Sequence, residues 1–155
     1  MALKLELISG TISVVSRLDD AISCTEEDYN EYLLDLDEGH LNIKEGQKPT
    51  YFVLTKNLKF DAQQKVKNQQ ISYKGGQVDL QLGFIMEEVR QALVDIKNPD
   101  DIPDNQKVLF KRDSDGAASK ELIASLGDAI VNDLFSARRN SVGSKASDIK
   151  KKSQP

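Results

Sequence analysis

His40 and Cys24 are the only histidine and the only cysteine in the 155 residues, which narrows the chemistry this chain can do. A closed zinc site takes several His or Cys ligands, and one of each cannot supply it. Ser–His–Asp catalysis requires His40 to meet an oriented carboxylate and a nucleophile, and the sequence holds no Gly-x-Ser-x-Gly elbow. Glu26 and Glu27 follow Cys24 closely and disfavour a thiolate, so Cys24 reads as a packing or surface residue. The acid-rich turn DSDG (113–116) invites a calcium reading. Aligning Gly116 with loop position 6 puts Lys111 at position 1 and Leu122 at position 12, so both ligating ends are missing. DLDEGH (35–40) fails similarly, because Gly39 comes one residue early. Gly143-Ser144-Lys145 lacks the final hydroxyl residue of a phosphate loop. RRNSV (138–142) resembles a basophilic kinase site, where phosphorylation would put negative charge into a basic stretch. No pair of carboxylates is set apart for general acid–base work. The expectation is a chain that is not an enzyme and calls for no cofactor and no metal.

Charge is the stronger signal. The chain carries −4 overall, yet residues 138–155 carry six Lys or Arg against one Asp, which leaves −9 on residues 1–137. Between Asp19 and Glu45 ten acids face only Lys44. A body this acidic repels nucleic acid everywhere except at the tail. The layout points to head-to-tail attraction, within one molecule or between neighbours. The residues expected to carry it are Arg138, Arg139, Lys150, Lys151 and Lys152 on the basic side, with Asp35, Asp37 and Glu38 on the acidic side. No run of apolar residues is long enough to span a membrane. The first residues, MALKLELISGTISVV, are broken by Glu6, Ser9 and Gly10 and do not read as a signal peptide; synthesis in a reducing cytoplasm is expected.

The elements that would position these groups read as α+β. Leu3, Leu5 and Leu7 alternate with charged residues as in a strand, and TISVV (11–15) is β-rich, so residues 2–16 are expected to form a hairpin or extended arm. Thr25 precedes an acidic helix in which Tyr29, Tyr32, Leu33 and Leu36 share one face, ending near Glu38-Gly39. YFVLTK (51–56) is a strand, and Asp61 is expected to cap a short polar helix. ISYKGGQVDLQL (71–82) predicts a hairpin turning on Lys74-Gly75-Gly76. Helical spacing then runs through FIMEEVRQALVDI (84–96), followed by a strand at KVLFK (107–111). Ser119 is expected to cap one last helix, KELIASLGDAIVNDLFSARR. Beyond it the tail has too little apolar surface to order itself and is expected to be extended. The division expected is an N-terminal arm with an acidic helix (1–48), an α+β domain (49–137) and a basic tail (138–155).

PTYFVLTKNLKFDAQQKVKN, with the helices at FIMEEVRQALVDIKN and SKELIASLGDAIVNDL, resembles tailed-bacteriophage tail assembly chaperones and related small morphogenesis proteins over about residues 49–137. The resemblance is one of element order and texture. It implies a non-enzymatic structural or assembly protein, located in the virion or in the host cytoplasm during assembly. Its partners would be other phage structural or assembly proteins, copies of itself included, and no membrane. The acidic arm and basic tail depart from the family pattern and suit a small virion component with arms that reach neighbours. A reading of another class is a nucleic-acid-associated module whose tail cations contact phosphates, although the tail lacks the interleaved aromatics that stack on bases. A small enzyme of unrecognised type is the third.

Overall fold

The computed structural model describes the backbone of residues 10–71 and 77–153, and the side chains of residues 10–67 and 83–142. The fold is α+β: a three-stranded antiparallel sheet in the order β1-β2-β3 with helices in both connections. β1 (Thr11–Val15) pairs with β2 (Tyr51–Thr55), and β2 pairs with β3 (Leu93–Lys97). Apolar side chains from all three strands, among them Val14, Val15, Phe52, Leu54, Leu93 and Ile96, are buried. The helices are α1 (Glu26–Asp35), α2 (Phe60–Ile71), α3 (Gln77–Ala92), α4 (Lys120–Leu126) and α5 (Asp128–Ser153). α5 is the hub: it packs on α1, α3 and α4 and touches β1 and β2.

β1 and α1, assigned from sequence to an arm, are built into the core. Tyr29, Tyr32 and Leu33 are buried, and the two tyrosine hydroxyls hold the outer edge of β1. Tyr29 donates to the Val15 carbonyl at 2.6 Å, and Tyr32 accepts from the Val15 amide at 2.9 Å. An edge strand normally offers such groups to any passing chain, and here a helix satisfies them. The expected strand at 3–7 and the turn at Gly75-Gly76 lie outside the described residues. Thr25 caps α1 by accepting from the Asp28 amide at 3.1 Å, and Ser119 caps α4 by accepting from the Leu122 amide at 3.0 Å.

Several expectations are corrected. Residues 77–82 open α3 and are not the second strand of a hairpin. Val78, Leu82, Ile85 and Val89 fall at helical spacing, so this short alternating run continues the stripe that follows it. α3 stops at Ala92, and 93–97 is a strand. The Arg90 carbonyl, needed to prolong the helix, accepts instead from the Ala118 amide at 3.1 Å. Asp61 lies in the first turn of α2, which begins one residue earlier. α1 ends at Asp35, short of Glu38-Gly39, with Leu36 in the left-handed region at φ 55°.

KVLFK is not a strand of the sheet, although it runs antiparallel beside β3. The Asn98 amide group donates to the Val108 carbonyl at 2.8 Å and accepts from its amide at 2.9 Å. At the other end Arg112 donates to the Val94 carbonyl at 3.3 Å. Side chains therefore replace the backbone ladder. The last helix is two helices, split at Gly127, whose φ of 86° and ψ of 161° only glycine adopts readily. The tail is not extended: α5 continues to Ser153. Between Pro103 and Pro155 there is no proline to break the helix.

Two outcomes follow. Nothing lies within 4 Å of a Cβ placed on Gly127, so Gly127→Ala tests backbone conformation alone. It should lower the unfolding free energy by roughly 1–3 kcal/mol in urea, and an unchanged midpoint would contradict the break. Burial pushes the Tyr32 hydroxyl up to about 12 and raises that of Tyr29 further. In the unfolded chain a tyrosine ionises near 10, so the folded state holds more protons above that pH. Stability should be intact below about pH 10 and fall as pH rises toward 12, checked by urea melts with tyrosine ionisation followed by absorbance.

Candidate interaction surfaces

The acidic turn DSDG does hold a cation, and it is the guanidinium of Arg90. Arg90 projects from α3, almost fully buried, and donates to Glu87 one turn earlier through Nε at 2.8 Å. Its Nη2 and Nη1 reach Asp115 at 2.7 and 3.1 Å, and Nη1 also donates to the Ala118 carbonyl at 3.3 Å. Lys65 of α2 adds a 3.1 Å contact to Asp115. Hydrogen bonding to Arg90 holds the Asp115 carboxyl far below the ordinary carboxylate range. The arrangement ties α2, α3 and the 113–118 turn together. Among the described residues no group of three or more His, Cys, Asp or Glu could hold a metal ion.

The expected basic contacts come together, but on a partner inside the molecule. Arg138 and Arg139 both converge on Glu88 of α3. Arg138 Nη1 donates to Glu88 Oε2 at 3.1 Å, while Nε and Nη2 donate to the Thr55 and Lys56 carbonyls at 2.9 and 3.0 Å. Arg139 Nε donates to Glu88 Oε2 at 2.9 Å, and Nη2 contacts Oε1. Glu88 is 2% exposed and Arg138 7%. The Arg139 guanidinium also stacks over Phe84 and Phe135, 5.5 and 5.1 Å from the ring centroids. Burial lowers the Arg138 pKa, and Glu88 opposes that shift. Two of the five cations proposed for a partner are thus spent on the fold, and the nucleic-acid reading loses the same two. Lys150, Lys151 and Lys152 lie on the last turns of α5, their side chains outside the described residues.

The expected acids cluster in the turn after α1. Asp35 accepts from the Asp37 amide and pairs with His40 Nε2 at 3.0 Å; these bonds lower the Asp35 pKa, and Asp35 raises that of His40. Asp37 accepts from the Gly39 amide, and Glu38 accepts from the Tyr51 hydroxyl at 2.5 Å. No ion pair joins this set to Arg138 or Arg139; α1 and α5 meet where the Asn140 side chain donates to the Leu33 carbonyl at 3.0 Å. His40 has its oriented carboxylate, but that pair is exposed at a turn built of local bonds.

Two surfaces escaped the sequence reading. An open groove of about 890 Å³ has the buried Phe52 and Leu122 among its lining and Leu18 and Leu109 exposed by 66% and 64%. Asp19 joins two of its bordering loops by accepting from the Ala21 and Thr50 amides. The second surface is the outward face of α1, where Leu34 is 55% exposed between acids. Leu34 was legible as an apolar residue off the Tyr29–Tyr32–Leu33 stripe. The groove was not, because its walls come from segments far apart in sequence.

Removing Glu88 strands the buried Arg138. Glu88→Ala should cost roughly 3–5 kcal/mol of stability, whereas Arg139→Ala, at a half-exposed side chain, should cost under about 1 kcal/mol. Urea unfolding of both variants checks the contrast, and equal losses would contradict this assignment.

Comparison of the chain with protein-family models, with curated proteins and with solved structures gave no match.

Proposed function

We propose that this chain is a non-enzymatic assembly protein that works through contacts with other proteins, copies of itself among them. The setting that the resemblance over residues 49–137 implies is a bacteriophage virion or its assembly. The observation that carries the reading is the division of α5. Its first half is fixed in the body through Val131, Leu134, Ala137 and Arg138, all buried. Its second half, past Asn140, carries four lysines against Asp148 on a body with a net charge of −9. Exposed apolar side chains at Leu18, Leu34 and Leu109 add surface suited to contacts. Among the described residues no helix is long and apolar enough to cross a membrane.

Exposed ion pairs contribute only ~0.2–1 kcal/mol each and are weakened by salt, so several must act together. Association should therefore fall steeply from low to high ionic strength and be lost when Lys150, Lys151 and Lys152 are all replaced by Glu. Sedimentation of wild type and variant at two salt concentrations tests it. Identical behaviour in all four runs would overturn the reading.

A further inference from the structure

We infer that the outward face of α1, formed by Glu27, Glu31 and Leu34, is the docking face for the second half of α5 from another copy of this chain. The inference rests on the protein-contact reading above and names its surface and its occupant. At 3.6 residues per turn, Glu27, Glu31 and Leu34 fall on the side of α1 diametrically opposite Tyr29, Tyr32 and Leu33, which are buried. Glu27 and Glu31 are exposed and take part in none of the ion pairs among the described residues, unlike Glu26 and Asp35, which pair with Arg17 and His40. Leu34 follows them on the same face one turn further on, a large apolar side chain 55% exposed on an otherwise polar face. The face therefore asks for a cationic partner with an apolar ridge.

The second half of α5 has that pattern. Val142, Ala146 and Ile149 recur at i, i+4 and i+7 along the helix, and Lys145 and Lys152 stand beside that row at i+3 and i+10. Val142 is itself 44% exposed. An apolar row bordered by lysines is the complement of a face where glutamates lead to an exposed apolar residue. The contact cannot close within one molecule. α5 already meets α1 from the inward side, through Asn140 on the Leu33 carbonyl, and it runs as one unbroken helix to Ser153. A continuous helix held on one side of α1 cannot also lie on the opposite side, so the occupant is a second copy. Such a contact joins two different surfaces head to tail, so each added copy offers a fresh α1 face and assembly continues unless the rotation closes a ring.

The test is sedimentation velocity on the full chain at low salt over a concentration series. One variant carries Glu27→Lys and Glu31→Lys; the other carries Lys145→Glu and Lys152→Glu. Wild type should show a sedimentation coefficient that keeps rising with concentration. Each variant alone should associate at least about tenfold more weakly, because like charges then face each other. An equimolar mixture should recover association, since the unaltered α5 of the first meets the unaltered α1 of the second. Recovery on mixing cannot come from a misfolded chain. If wild type associates and loses association on replacing Lys150–Lys152, yet both variants here associate normally, the α1 face is wrong while the contact reading stands. If wild type and all variants remain monomeric, the inference falls, and the reading beneath it falls with it.

Discussion

Glu88 stands where α3, α5 and the end of β2 converge, and its carboxylate faces two guanidiniums, one of them buried. A carboxylate this deep is unfavourable alone, and so is the Arg138 guanidinium. Each is tolerable because the other is present and because Arg138 has its remaining donors on the Thr55 and Lys56 carbonyls. The pair fixes where α5 sits against the sheet. Two further buried ionic contacts act similarly at other seams. Arg17 holds the buried Asp133 bidentately at 2.7 and 2.8 Å, joining the end of β1 to α5, and Arg90 joins α3 to the 113–118 turn. Among the described residues no buried side-chain nitrogen or oxygen lacks a hydrogen-bond partner. The core is modest, and its helices are registered by charge as well as by apolar packing.

Local signals were legible in the sequence and long-range ones were not. Thr25 and Ser119 announce helix starts because a cap needs only the next three residues. TISVV and YFVLT announce strands because β-branched and aromatic residues cluster there. The run 77–82 misleads because a short alternating stretch fits both periods, and only its continuation through Ile85 and Val89 decides for helix. Likewise 93–97 carries helical spacing, but pairing with β2 and the capture of the Arg90 carbonyl by Ala118 override it. Glu88 and Arg90 could not be read at all, since their partners lie 50 and 25 residues away. Two acids and an arginine interrupting the apolar stripe of FIMEEVRQAL were the trace they left.

The candidate contact residues divide along the same line. Arg138 and Arg139 looked like the start of a free basic tail because a charge run in sequence shows no partner. The fold draws both inward, and with them the start of the tail becomes the middle of a helix. What is left for a partner is the later stretch of α5 and the acids of α1 that point away from the core. Charge thus serves two ends in one helix. Buried, it is paired and sets the fold; beyond Asn140 the sequence carries four lysines against Asp148, the excess on which the proposed contact rests.

That division depends on Glu88 and Arg138 acting as one unit, which a double-mutant cycle measures directly. Glu88→Ala, Arg138→Ala and the combined variant are unfolded in urea alongside wild type. The account predicts that the double variant is less destabilised than the two single losses together, with a coupling of roughly 1–3 kcal/mol. Losses that simply add, to within about 0.5 kcal/mol, would contradict it, because Glu88 and Arg138 would then act independently and not as one unit.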